Sequence, residues 1–164
     1  MKILVLSDSH SGMHFMRKAI DIVKPDAVVH LGDYYDDGET LSEENPNTTF
    51  HLIPGNCDRY RSYIIRPETL CYDVCGVKLF MTHGHNHHVK SSLYALVRDA
   101  AAMGAAAALY GHTHQADCHQ EDDLWVLNPG AAGSSGGSVG LIEVNDHKIT
   151  SCRILRQDDL EEMK

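Results

Sequence analysis

Two apolar runs of strand length, 2–7 (KILVLS) and 26–32 (DAVVHLG), bracket a segment whose apolar residues recur at helical spacing. A strand, a helix and a second strand in succession predict a βαβ unit, and so a parallel sheet. Within 11–24 the helical face is drawn by Phe15, Met16, Ala19, Ile20, Ile22 and Val23. Ser11 stands where an N-cap would, and Pro25 stops the helix. A polar loop is expected over 33–48, followed by the apolar FHLIPG at 50–55. The stretch 70–82 reads as a hairpin turning near Cys75-Gly76, and 89–104 as an amphipathic helix closing on Gly104. AAALYG (106–111) is poor in strand formers and is nevertheless read as a strand. DLWVLNPG, SVGLIEV and HKITSCRILR complete a run of strands, the last two joined as a hairpin over NDH. Residues 130–138 read as a flexible loop rather than a linker, because strands continue directly after it, and QDDLEEMK reads as a charged tail. The expected fold class is α/β, with two mixed sheets flanked by helices.

Bulk properties narrow the partners. A chain of 164 residues suits one domain spanning 1–164. A net charge of −9 argues against coating long nucleic acid or anionic lipid, since phosphate contacts need Lys and Arg. A small phosphorylated ligand stays compatible, because a bound cation supplies positive charge locally. No stretch is long and apolar enough to span a bilayer and no signal peptide is visible, so a cytoplasmic location is the default expectation. Five cysteines with no CxxC pair suggest reduced thiols rather than a disulfide framework.

Five apolar runs each open onto residues with metal-ligand chemistry: Asp8-Ser9-His10, Asp33, Asn56-Cys57-Asp58, His83-Gly84-His85 and His112-Thr113-His114. Taken singly, each has a plainer alternative. Asp-x-His can be a helix cap beside a surface histidine, and Gly-Asp or Gly-Asn-Cys-Asp a turn. Their joint position after successive apolar runs favours convergence, because ligands of open α/β sheets bind at the carboxyl ends of strands. Gly32, Gly55, Gly84 and Gly111 would let the backbone turn sharply there. Carboxylates, an amide and imidazoles suit Mn, Fe, Co, Ni or Zn, and soft thiolate sites are absent. The donors outnumber what one ion needs. Two ions about 3.5–4 Å apart, bridged by one carboxylate, would use the set and displace at phosphorus.

The order DxH, GD, GNxD, HGH, GHTH, from Asp8 to Pro129-Gly130, resembles the calcineurin-like metallophosphoesterase superfamily. The short chain and the GNCD form resemble its YfcE-like phosphodiesterase branch. The resemblance implies an αββα sandwich with a dinuclear centre at one end. It implies Asp8, His10, Asp33 and His114 on one metal, with Asp33 bridging to a second held by Asn56, His83 and His112. Manganese is the first expectation, with Ni, Co, Fe or Zn as alternatives, and a water activated between the ions as nucleophile. Asn56 would also clamp phosphoryl oxygens, and Asp58 would orient its neighbour without ligating. The implied substrate is a small phosphodiester. A protein-interaction scaffold on the same fold and a nucleotide-specific phosphohydrolase are the rivals, and a homo-oligomer is left open.

Cys57 occupies a position where relatives carry histidine as the acid that protonates the leaving oxygen. A thiol titrates at about 8.5 against about 6.5 for imidazole, so Cys57 is expected to mark a missing general acid. His85, Tyr34, Tyr35, Arg59, Tyr60 and Arg61 flank the ligand loops without an assigned role. His30 reads as a packed strand residue, Trp125 as core, and His87 and His88 as solvated or at a helix start.

Overall fold

A computed structural model describes residues 1–10, 12–58, 66–133 and 136–163. The βαβ start is present as β1 (Lys2–Leu6), α1 (Met13–Val23) and β2 (Ala27–His30), with β1 and β2 parallel. Strand β3 (Thr49–Leu52) adds a further parallel pair beside β2. The hairpin β9 (Ser138–Asn145) and β10 (Lys148–Arg156) joins antiparallel to β1, giving a first sheet of order β10-β9-β1-β2-β3.

The second sheet contains β4 (Thr69–Val74), β5 (Val77–Thr82), β6 (Ala107–Leu109), β7 (Asp117–Glu121) and β8 (Leu124–Asn128) in the order β4-β5-β6-β8-β7. β5, β6 and β8 run parallel, while β4 and β7 pair antiparallel at the edges. The chain therefore forms two mixed five-stranded sheets face to face.

The central strands are apolar on both faces because each face meets another layer. Ile3, Val5, Val29 and Leu31 meet Leu79, Met81, Leu109 and Leu127 between the sheets. On the outer face of the first sheet, Leu4, Leu6 and Val28 pack under Met16, Ile20, Leu41 and Leu160. Phe80, Ala108 and Val126 play that part on the second sheet, under Leu96 and Ala100 of α3 (Tyr94–Ala102). The result is the four-layer αββα arrangement. No helix among the described residues is long and apolar enough to cross a membrane.

Several local expectations change. The polar loop 33–48 contains α2 (Tyr35–Glu44), and the C-terminal tail contains α4 (Gln157–Glu162), whose Leu160 is fully buried. The helix expected over 89–104 occupies only Tyr94–Ala102. β7 was not expected as a strand. Helix α1 begins at Met13, and the proposed N-cap Ser11 lies outside the described residues. Of the glycine-rich loop 130–138, Ala131 and Ala132 are buried, and residues 134–135 lie outside the described set.

The three-residue strand β6 is central to the second sheet and leads straight into His112-Thr113-His114. Leu109 is fully buried at its end. Leu109→Ala is expected to cost about 2–5 kcal/mol in urea unfolding, the range for a core leucine that leaves a cavity. A loss under about 1 kcal/mol would mean that this strand is not packed as described.

Candidate metal centre

Every expected ligand follows the carboxyl end of a parallel strand: Asp8 and His10 after β1, Asp33 after β2, Asn56 after β3, His83 after β5, and His112 and His114 after β6. Backbone hydrogen bonds tie neighbouring strand ends together. Asp8 N–H donates to Gly32 O at 2.9 Å, and Gly111 N–H to His83 O at 3.0 Å. Gly32, at φ +99°, and Gly55 are pressed together: a Cβ on Gly32 would lie 2.3 Å from Gly55 N. A Cβ on Gly55 would lie 2.2 Å from Asp33 Oδ1, so this glycine serves close approach rather than a sharp turn.

Asp8 is fully buried. Its Oδ2 accepts from Ser7 Oγ at 2.5 Å and from His112 N–H at 3.1 Å. Its Oδ1 accepts no hydrogen bond, although His114 Nε2 lies 3.0 Å away. His10 Nε2 faces His114 Nε2 at 3.4 Å. Ligand atoms of Asp8, His10, Asp33 and His114 all lie within 4.8 Å of one another. Ring nitrogens and a buried carboxylate aimed at one point need a proton or a cation between them. The donor set fits a divalent transition metal.

A second group adjoins the first. His83 is fully buried, and its Nδ1 lies 2.8 Å from Leu31 O, which can only accept. Nδ1 therefore donates to that carbonyl, which leaves Nε2 on the far side of the ring, 3.1 Å from Asn56 Oδ1 and 3.6 Å from Asp33 Oδ2. The His112 ring stands 5.0 Å from that of His83, centroid to centroid. Asp33 thus sits in both groups. Burial acts to raise its pKa, but His83, hydrogen bonds from Cys57 and His10 outweigh it, and the net shift is downward. The His112 imidazole is pushed down to about 4 by burial and by the charges of His83 and Lys90, so its lone pair is free at neutral pH.

Asp58 points away from both groups. Its Oδ1 accepts the N–H groups of Tyr34 and Tyr35 at 2.9 Å each, and its Oδ2 accepts Gly55 N–H at 2.8 Å. It therefore ties the Asp33 loop to the Asn56 loop and satisfies donors at the start of α2. Cys57 donates its backbone N–H to Asp33 Oδ1 at 2.9 Å, while its exposed thiol lies 3.6 Å from Asn56 Nδ2. Desolvation, the hydrogen bond to Asp33 and the charges of Asp33, Asp58 and Asp8 push that thiol's pKa up. Bound cations would act in the opposite direction.

Backbone strain marks the same rim. Of the twelve positive-φ residues other than glycine among those described, six are Asp8, His10, Asp33, Tyr34, His112 and His114. Asp and His tolerate this region better than most residues, yet each such position still costs on the order of 1–3 kcal/mol.

The flanking residues separate. Tyr34 packs edge-on against His10, and Tyr35 lies under the Arg66 guanidinium. Arg59, Tyr60 and Arg61 lie outside the described residues. The His85 ring is 5.5 Å from that of His83 and 6.1 Å from that of His112. His30 is fully buried on β2, as expected, and accepts Gly32 N–H at 3.3 Å. Trp125 is half-buried against the inter-sheet core. His88 is exposed, whereas His87 is not solvated: it packs on Phe80 and lies 3.5 Å from Asp99. One positioning residue was missed. Buried Asn128 donates to Gly111 O at 3.0 Å and to Thr113 Oγ1 at 2.9 Å, bracing the histidine loop. Its only signal was a polar residue ending an apolar run before Pro-Gly.

Residues 1–147 match the family model described as the calcineurin-like phosphoesterase superfamily domain. Phosphodiesterase MJ0936 of Methanocaldococcus jannaschii is 33% identical over 149 residues, covering 79% of this chain and 83% of that protein. YfcE, a phosphoesterase from E. coli, superposes with a TM-score of 0.64 at 22% identity, over 93% of this chain and 98% of that one. Wild-type Vps29 of Entamoeba histolytica, in complex with zinc, superposes at 0.71 with 18% identity, over 95% and 98%. The last two likenesses speak to the fold alone.

The depressed His112 pKa has a measurable consequence. Between about 4 and about 6.5 the unfolded chain binds a proton that the folded one does not. The metal-free protein is therefore expected to lose stability as pH falls through that window and to keep it in full above. His112→Asn should flatten that part of the profile of urea midpoint against pH. An unchanged slope would assign the proton to another group.

Proposed function

Because the chain belongs to the calcineurin-like phosphoesterase superfamily, we propose that it hydrolyses small phosphodiesters using two divalent transition-metal ions. The observation that carries this reading is the meeting of two donor groups on one buried carboxylate, Asp33. On one side stand Asp8, His10 and His114, and on the other His83 and Asn56 beside the His112 ring. When bound, the cations supply a strong oxygen nucleophile from water at neutral pH and positive charge for the phosphoryl oxygens.

The chain's own residues set the rest. Asp33 is ionised at neutral pH and lies against both groups, as a bridging ligand must. The Leu31 carbonyl fixes the tautomer of His83, so its Nε2 is always the donor. Asn56 adds a neutral oxygen, which limits the negative charge of the centre, and its amide N–H groups can donate to a phosphoryl oxygen. Asp58 acts through backbone, holding the loops that carry Asp33 and Asn56. Cys57 stands beside Asp33, and a thiol drawn toward thiolate by bound cations is a poor proton donor for an alkoxide leaving group. The favoured substrates are accordingly diesters with acidic leaving groups, such as nitrophenyl esters. The scaffold reading is less well supported, since every ligand-type side chain is retained. Manganese is the first choice of metal and the cytoplasm the proposed location.

Two experiments test this. Elemental analysis after reconstitution should find two ions per chain, with Asp33→Asn weakening both sites; a single ion would refute the dinuclear reading. Chelator should abolish nitrophenyl-diester hydrolysis, and Mn²⁺, Co²⁺ or Ni²⁺ should restore it. His112→Ala and His114→Ala should each lower the rate by at least about 100-fold, and His88→Ala far less.

Cys57 is tested separately. Cys57→Ala should keep most aryl-diesterase activity, and Cys57→His should help poor leaving groups more than good ones. Proton donation is worth about 10²–10⁴-fold where it is needed. Loss of aryl-diester hydrolysis in Cys57→Ala with both metals bound would make the cysteine catalytic.

A further inference from the structure

Cys118 on β7 and Cys152 on β10 take no part in the chemistry above. Both are half-buried free thiols packed against the inter-sheet core. β7 is an edge strand of the second sheet and β10 an edge strand of the first, so the pair lies where two open edges come together. The sulfurs are 3.2 Å apart and joined by a thiol–thiol hydrogen bond, although the residues are 34 positions apart in the chain. At the opposite edges, β3 and β4 are joined by a hydrogen bond between His51 Nδ1 and Tyr72 Oη at 2.8 Å. Closing the sulfurs to a bond length of about 2.05 Å needs a movement of about 1.2 Å, within reach of small side-chain rotations.

We propose that Cys118 and Cys152 form a reversible intrachain disulfide that fastens the two sheets together at this edge. Cys118 begins only four residues beyond His114, so the bond would also anchor the strand that leaves the histidine loop. The reaction is thiol–disulfide exchange with a small disulfide such as oxidised glutathione. The thiol–thiol hydrogen bond lowers the pKa of Cys118 against the opposing effect of burial, and raises that of Cys152. The exchange balances in either order; with Cys118 first, its thiolate bonds to one sulfur of the small disulfide and expels the other half as a thiolate. Cys152 then loses its proton to solvent, attacks Cys118 Sγ and releases the second small thiol. Two protein thiols are oxidised and one small disulfide is reduced to two thiols. In a reducing compartment the pair stays open; a shift in thiol poise closes it.

The test uses the full chain, metal-loaded, equilibrated in glutathione buffers from fully reducing to fully oxidising. Titration of thiols after denaturation should fall from five to three, and a non-reducing digest should link Cys118 to Cys152. Tm should rise by about 5–10 °C on oxidation and return on adding dithiothreitol, the scale for a cross-link closing a loop of this length. Cys118→Ser and Cys152→Ser should each abolish that rise. Retention of all five thiols in the most oxidising buffer, or a bond mapped to Cys57, Cys71 or Cys75, would overturn the proposal. Mapping on the wild-type chain decides the matter even if a serine variant fails to fold.

Discussion

Two carboxylates, Asp8 and Asp33, are buried side by side at one end of the sandwich, and much of the architecture there answers to them. A buried carboxylate is costly unless hydrogen-bonded or paired with positive charge. Protein donors meet part of that need: Ser7 Oγ and His112 N–H for Asp8, and Cys57 N–H for Asp33. They leave Asp8 Oδ1 without a hydrogen bond, and it faces the same space as the ring nitrogens of His10 and His114. The arrangement calls for a proton or a cation in that space, and a cation there is the physical content of calling the chain a metal-dependent phosphoesterase.

Holding the donors there is expensive for the backbone. The left-handed residues on the rim and the Gly32–Gly55 contact are conformations that an unconstrained loop would leave. They persist because parallel strands from both sheets end beside one another and are tied by Asp8 N–H to Gly32 O and Gly111 N–H to His83 O. Asp58 and Asn128 extend that bracing through hydrogen bonds to backbone.

The fold alone says less than the site. The superposition on Vps29 is slightly better than that on YfcE, yet each identity is too low to carry more than architecture. What the site adds to the shared sandwich is a cluster of metal-ligand side chains, Asp8, His10, Asp33 and His114, gathered at one end. Cys57 is the departure. Its backbone N–H holds Asp33 Oδ1 and its exposed thiol lies beside the Asn56 amide.

The sequence by itself determined the βαβ start, the two-sheet class and the placing of the seven candidate ligands after strand ends, because each candidate sits within a few residues of a short apolar run that marks a buried strand. Local chemistry was enough there. It was not enough for α2, whose first N–H groups are satisfied by Asp58 from 23 and 24 residues away. Nor was it enough for β7, a polar edge strand recognisable only through its ladder with β8, or for α4, ordered through the burial of Leu160. The strain at Asp8, Asp33 and His112, the bracing by Asn128 and the approach of Cys118 to Cys152 likewise arise between segments distant in the chain. Only the tertiary structure decided these, because a hydrogen bond or contact across the fold appears in neither segment's own composition.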